Sequence, residues 1–284
     1  MQILRTVAEA RSFVFAHRGA GRRVGLVPTM GALHAGHLAL MGAAADHADV
    51  VVASIFVNPT QFGPEEDLET YPRDTAQDLA KAEDAGCHAV FLPSVEVMYG
   101  PGAATTVAVP ALAEHLCGRS RPTHFAGVCV VVLKLFNIIG CDVAVFGQKD
   151  YQQLAIIRRM VRDLNIPVEI VGHPIVRSPD GLALSSRNAY LSTEQRVAAV
   201  GLSDALRRVG DAWRSGQTDA GALRAMVVQR LEAAKGGRID YVEVCDPDDL
   251  AILSGPIAGG CLVAVAVFFG ETRLIDNAVF TPGG

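Results

Sequence analysis

The stretch Val24-Gly-Leu-Val-Pro-Thr-Met-Gly-Ala-Leu-His-Ala-Gly-His37 passes from an apolar strand, through a glycine-bearing turn, into a helix expected over residues 37–48. Short β-branched runs continue to alternate with amphipathic stretches over the first ~170 residues, as βαβ units of a parallel sheet require. Residues 50–57 form a strand without polar alternation, so both of its faces should be covered. Helices are expected over 74–85, 126–139 and 151–164, with strands over 89–92, 142–146 and 168–171. After Pro174 the pattern changes. A polar loop, Arg177-Ser-Pro-Asp-Gly181, leads to Leu184-Ser-Ser-Arg-Asn188; helical stretches over 193–215 and 219–235 follow, then β runs over 239–244, 261–269 and 272–277. The reading is an α/β domain over residues 1–175 and a smaller C-terminal α+β domain over 176–284.

Half of the 284 residues are hydrophobic and 19% are charged. No apolar run reaches the roughly 18–20 residues that span a bilayer. The N-terminus lacks the uninterrupted apolar core of a signal peptide, so a cytoplasmic protein with no membrane partner is expected. The six cysteines (87, 117, 129, 141, 245 and 261) form no CxxC pair and sit mostly in apolar segments, where they should be buried and reduced. A net charge of −5 leaves no general footprint for nucleic acid. Any bound anion must therefore be met by a local site.

In a parallel sheet, ligands bind beyond the C-terminal strand ends, where loops and helix N-termini converge. Three polar segments follow such strands here: 28–37, 58–74 and 147–150. In the first, Gly31 and Gly36 let the backbone approach a ligand, and the helix that follows offers free N–H groups to an anion. His34 and His37 could then touch phosphate, pack, or bind a metal, although no Asp, Glu or Cys stands close by to complete a metal site. Lys149 stands near a helix N-terminus, where the dipole disfavours a cation. It is either solvated or matched by an anionic ligand. Ser185, Ser186 and Arg187 put two hydroxyls and a guanidinium in one loop, which suits phosphate oxygens or, more plainly, a capped turn. Gln61, directly after a buried strand, suits a small substrate with hydroxyls and a carboxylate, whereas Gln152 reads as a surface residue.

Together these segments resemble the pantoate–β-alanine ligase family. The resemblance is carried by Pro28-Thr-Met-Gly-Ala-Leu-His-Ala-Gly-His37, Ser54-Ile-Phe-Val-Asn-Pro-Thr-Gln-Phe62, Tyr71-Pro-Arg73 and Arg121-Pro-Thr-His-Phe-Ala-Gly-Val128. Phe146-Gly-Gln-Lys-Asp-Tyr-Gln-Gln-Leu154, Leu184-Ser-Ser-Arg-Asn188 and Thr272-Arg-Leu-Ile-Asp-Asn277 complete it, in the family's order across nearly the whole chain. The His-x-Gly-His element alone is shared with nucleotidyltransferases and class I aminoacyl-tRNA synthetases; the full set is specific.

The resemblance implies a Rossmann-like sheet of the nucleotidyltransferase type, with the C-terminal domain as a lid over ATP. It implies ATP-dependent condensation of pantoate with β-alanine through pantoyl adenylate, with Mg2+ accompanying ATP, in a homodimer. By the same resemblance, Met30, Gly31, Ala32, Leu33, His34, Ala35, Gly36 and His37 line the ATP site. Gly147, Gln148, Lys149, Asp150, Val176, Leu184, Ser185, Ser186 and Arg187 join them. His34, His37, Lys149, Ser185, Ser186 and Arg187 would act on the phosphates, and Gln61 and Gln153 would hold pantoate, Gln61 also lying beside β-alanine. Asp78 matches a recurrent acid and is a metal candidate, and His124 is open between a functional and a structural role. Ala35 and Gln148 stand where the family usually carries carboxylates, so this chain has less negative charge near the phosphates.

Overall fold

The computed structural model describes residues 1–64, 66–233 and 236–283. The chain divides into two compact units. One comprises residues 1–113, 121–148 and 153–174; the other comprises 114–120, 149–152 and 175–284. Two short excursions thus group with the later part of the chain, and the division is not a single cut.

The first unit holds six strands: β1 (Gln2–Leu4), β2 (Val24–Thr29), β3 (Val50–Ile55), β4 (Ala89–Phe91), β5 (Val143–Gly147) and β6 (Glu169–His173). They lie in the order β1-β4-β3-β2-β5-β6, every pair parallel. All six residues of β3 are buried, the consequence expected of a central parallel strand without alternation. Helices α1 (Val7–Gly19), α2 (Ala35–His47), α3 (Thr75–Asp84), α4 (Val95–Met98) and α5 (Pro110–Ala113) follow in chain order. After α6 (Cys117–Ser120), which belongs to the second unit, come α7 (His124–Ile139) and α8 (Tyr151–Asp163). Leu33 and Met41 pack against Val27, Val51, Ala53, Val90 and Val145, seating α2 on the sheet. Each such aliphatic side chain, fully buried, contributes about 1.5–3 kcal/mol. Helix α7 stops at Gly140, whose left-handed φ of 59° suits glycine.

The second unit is built on an antiparallel sheet of β7 (Gly237–Cys245), β8 (Cys261–Phe269) and β9 (Thr272–Phe280), in that order. Helices α9 (Thr193–Ala199), α10 (Gly201–Arg214) and α11 (Ala220–Glu232) complete it. Leu202, Leu206, Val209, Leu223 and Val227 pack with Val242, Val244, Val263 and Val265 into one core.

Two differences from the sequence reading have physical causes. The pair β1 and α1 lies outside that reading; β1 is only three residues long, but the Thr6-Val-Ala-Glu9 capping box, with Thr6 Oγ1 accepting from Glu9 N–H at 3.2 Å, is a readable helix start. The helix expected over 193–215 is two, broken at Val200 before Gly201, a weak helix former. The expected end of the next helix, Lys235, lies outside the described residues. All six cysteines are buried and unpaired. Among the described residues no helix is long and apolar enough to cross a membrane.

Candidate active site

The strand order turns the chain outward in two directions from the β2–β5 pair: β3 and β4 on one side, β6 on the other. In sheets of this kind a crevice forms at such a switch point, beyond the C-terminal strand ends, and is the usual ligand position. The histidine turn leaves β2 there, and Gly147 and Gln148 leave β5 beside it.

The histidine turn is tightly specified. Thr29 Oγ1 accepts the Gly31 N–H at 3.2 Å and donates to the Ser54 carbonyl at 2.7 Å. Gly31 has φ +82°, and a Cβ there would lie 2.8 Å from an Asp78 carboxylate oxygen. The buried Asp78 carboxylate accepts the N–H groups of Ala32 and Leu33 at 2.8 and 2.7 Å, and Lys81 Nζ donates to the Leu33 carbonyl at 2.7 Å. His34 then caps α2: its Nδ1 accepts the Gly36 N–H at 3.1 Å, while His37 Nδ1 accepts the His34 N–H at 3.3 Å. An accepting Nδ1 carries no hydrogen, so each ring's hydrogen sits on Nε2, as an N–H donor. The two rings lie 4.1 Å apart at the positive end of a 13-residue helix whose first turn has no acidic residue. Hydrogen-bond donors and helix dipole together suit an anion.

One strand over, Asn58, Thr60 and Gln61 form the turn after β3. Asn58 is fully buried and Gln61 is 8% exposed. The Gln61 carbonyl accepts from Arg121 Nη2 at 3.2 Å and from His124 Nδ1 at 2.8 Å. Arg121 also grips Glu66, its Nε donating to Oε1 at 2.6 Å. Burial pushes the Glu66 carboxyl up, but the Arg121 guanidinium outweighs it and holds the group below the ordinary carboxylate value. Gly127 brings α7 against this turn, since a Cβ there would lie 2.2 Å from the Thr60 carbonyl oxygen. Gln153 is half-buried on α8 of the same unit.

The second unit carries the other candidate cations and hydroxyls. Lys149 is largely buried, its Nζ 3.7 Å from the Asp150 carboxylate. Asn277 Nδ2 donates to the Lys149 carbonyl at 2.9 Å. Val176 and Leu184 pair directly, Leu184 N–H donating to the Val176 carbonyl at 3.0 Å. Ser185 caps the short 3-10 helix Ser186–Tyr190, its hydroxyl accepting the Arg187 N–H at 3.3 Å. Below the loop, Arg177 makes a bidentate pair with Asp276 at 2.6 and 2.9 Å, with the Asp276 side chain 1% exposed.

Residues 2–279 match the family model described as pantoate-beta-alanine ligase. The chain belongs to the pantoate–β-alanine ligase family. It is similar to the pantothenate synthetase of Pseudomonas savastanoi pv. phaseolicola, 53% identical over 283 residues with 99% of both chains covered. The Moorella thermoacetica pantothenate synthetase is 54% identical, with 98% of both covered. Among solved structures, pantothenate synthetase from Thermus thermophilus superposes with TM-score 0.92 at 46% identity, covering 98% of this chain and 99% of that one. Pantoate-beta-alanine ligase from Francisella tularensis, complexed with beta-gamma ATP and beta-alanine, gives TM-score 0.79 at 32% identity, covering 100% and 99%.

Set beside these pantoate–β-alanine ligases, several quoted motifs acquire a mechanical explanation. His124 and Arg121 hold the Gln61 backbone, and Asp276 and Asn277 of the last motif hold Arg177 and Lys149. The surface reading of Gln152 is corrected. It is 5% exposed, its Oε1 accepting the Cys117 N–H at 3.0 Å and its Nε2 donating to the His115 carbonyl at 2.7 Å. Sequence spacing does not reveal such long-range pairing. Asp78 spends one lone pair of each oxygen on the histidine turn, and among the described residues no group of three His, Cys, Asp or Glu is placed to hold a metal ion.

Proposed function

We propose that this chain condenses pantoate with β-alanine at the expense of ATP. The observation that carries the reading is the reciprocal capping of His34 and His37 at the start of α2, beside the β2–β5 crevice. A pantoate carboxylate oxygen attacks the α-phosphorus of ATP and the bond to the β-phosphate oxygen breaks, giving pantoyl adenylate and pyrophosphate. The amine of β-alanine then attacks the acyl carbon; the bond to AMP breaks, the nitrogen loses a proton, and pantothenate and AMP result.

The first step builds negative charge on phosphoryl oxygens, so donors fixed in advance supply most of the catalysis. We assign His34 and His37 to the ATP phosphates, through Nε2–H groups aimed by the capping box. Lys149, Ser185, Ser186 and Arg187 are assigned to the departing pyrophosphate. Met30–Gly36, Gly147, Gln148, Asp150, Val176 and Leu184 are assigned as the lining of the ATP site. Gln61 and Gln153 are assigned to pantoate. Magnesium is proposed to enter with ATP, held by the phosphates, because the chain offers no carboxylate cluster for it among the described residues. The enzyme is read as a cytoplasmic homodimer, and light scattering of the purified protein tests the dimer.

The deciding experiment incubates the protein with ATP, pantoate and β-alanine, omitting each in turn, and measures AMP. Release of AMP with pantothenate, dependent on all three, is expected. A dinucleotide-like product would identify a nucleotidyltransferase instead. ATP binding without β-alanine-dependent AMP would identify a nucleotide sensor.

A further inference from the structure

The assignment of Gln61 to pantoate leaves open what turns its amide toward the substrate, and the first unit contains a chain of hydrogen bonds that does so. Asn58 has no exposure to solvent. Its Oδ1 accepts from the Tyr99 O–H at 2.8 Å, the Thr60 hydroxyl at 3.0 Å and, more loosely, the Thr60 N–H at 3.4 Å. Its Nδ2 donates to Gln61 Oε1 at 2.9 Å and to the Gly127 carbonyl at 3.2 Å. A backbone N–H only donates and a carbonyl only accepts, so these two groups fix which end of the Asn58 amide faces which way. Asn58 thus turns the oxygen end of the Gln61 amide toward itself, while Arg121 and His124 occupy the Gln61 backbone carbonyl. What Gln61 turns to a ligand is its pair of Nε2 hydrogens.

We propose that Tyr99 is a positioning residue for pantoate recognition: its phenol holds Asn58 so that Gln61 turns the Nε2 end of its amide to the substrate. Tyr99 makes the shortest of the three bonds to Asn58 Oδ1 and lies 38 positions from Gln61 in sequence, on the turn after α4. Burial pushes its phenol above the ordinary tyrosine value, so the O–H remains a donor throughout the neutral and mildly alkaline range. The site therefore favours a ligand presenting oxygen acceptors, as a carboxylate and neighbouring hydroxyl oxygens do, and disfavours an ammonium group in that place.

The inference rests on the pantoate reading of Gln61, and the test separates the two. Initial rates are measured for the wild type, Tyr99→Phe, Gln61→Ala and the double variant, varying pantoate and ATP independently. Gln61→Ala is expected to raise the KM for pantoate; if it does not, the pantoate reading of Gln61 falls and the inference with it. Tyr99→Phe is expected to raise that KM by roughly 3- to 10-fold, the worth of one neutral hydrogen bond, with little change in the KM for ATP. In the Gln61→Ala background the tyrosine substitution is expected to have no further effect. An unchanged pantoate KM in Tyr99→Phe, an equal rise in the KM for ATP, or full additivity in the double variant would overturn the role of Tyr99. Should Tyr99→Phe fold poorly, Asn58→Asp serves in its place: it accepts from Tyr99 but cannot donate to Gln61, and must show the same pantoate-selective, Gln61-dependent rise.

Discussion

The two units support the side chains proposed to meet ligand in different ways. In the first, the functional groups are themselves structural: His34 and His37 cap α2 through their own rings, and Gln61 is fixed at its carbonyl and side chain alike. In the second, Lys149 and Arg187 stand on backbone that other residues secure, namely Asn277, Asn188 and the Arg177–Asp276 pair. Chemistry and local architecture are therefore fused in the first unit, and in the second they are fused at Ser185, which caps its own loop, but separable at Lys149.

Substituting the groups themselves should give the largest effects and the clearest contrast. His37→Ala and Lys149→Ala are each expected to slow pyrophosphate release by about 10²-fold or more, as for loss of a preorganised donor. Only His37→Ala should also destabilise the fold, by about 1 kcal/mol, and so lower the midpoint of thermal unfolding, because the His34 N–H loses its acceptor. Equal unfolding midpoints for the two variants would erase the distinction.

Removing the supports comes next. Arg177→Ala leaves the buried Asp276 carboxylate without its guanidinium and should cost about 3 kcal/mol in chemical denaturation. Asp78→Ala orphans two backbone N–H groups at about 1–3 kcal/mol each, and should raise the KM for ATP because the histidine turn loses its anchor. Gly127→Ala is expected to cost about 3 kcal/mol, since its Cβ would fall on backbone atoms, and to be selective. Its Cβ pushes the Thr60–Gln61 turn away, so the KM for pantoate should rise more than that for ATP.

The smallest effect is a pH dependence. With its folded-state pKa depressed, Glu66 contributes stability that is fully present above the unfolded value near 4.5 and lost as pH falls through the lower folded value. Glu66→Gln should flatten that acid limb of the stability curve by lowering stability at neutral pH, with little change at pH values below the folded-state pKa. A wild-type acid limb in the variant would locate the titration elsewhere.

Periodicity and turn chemistry disclose the parallel sheet, because a strand such as Val50–Ile55 with no alternation has few other places to go. The glycine–histidine turn is legible for the same local reason. What stays hidden are pairings between residues far apart in sequence. Asp78 with Ala32, Gln152 with Cys117, Arg177 with Asp276 and Tyr99 with Asn58 leave no periodic trace, since each is set by tertiary proximity alone. The division of α9 from α10 leaves only one local sign in the sequence, Gly201, and Val200 keeps helical dihedrals through the break.

The parallel pairing of β2 with both β3 and β5 also bears on how the chain is made. As synthesis proceeds from the N-terminus, β2 (Val24–Thr29) can find β3 (Val50–Ile55) early, but its other flank waits until β5 (Val143–Gly147) has left the ribosome. Through that interval a nascent chain carries an open, apolar strand flank next to its histidines, the kind of edge that chaperones shield and neighbouring chains capture. The crevice is thus completed only about halfway through synthesis, and slow translation upstream of residue 143 would lengthen the exposure of that flank rather than help it mature.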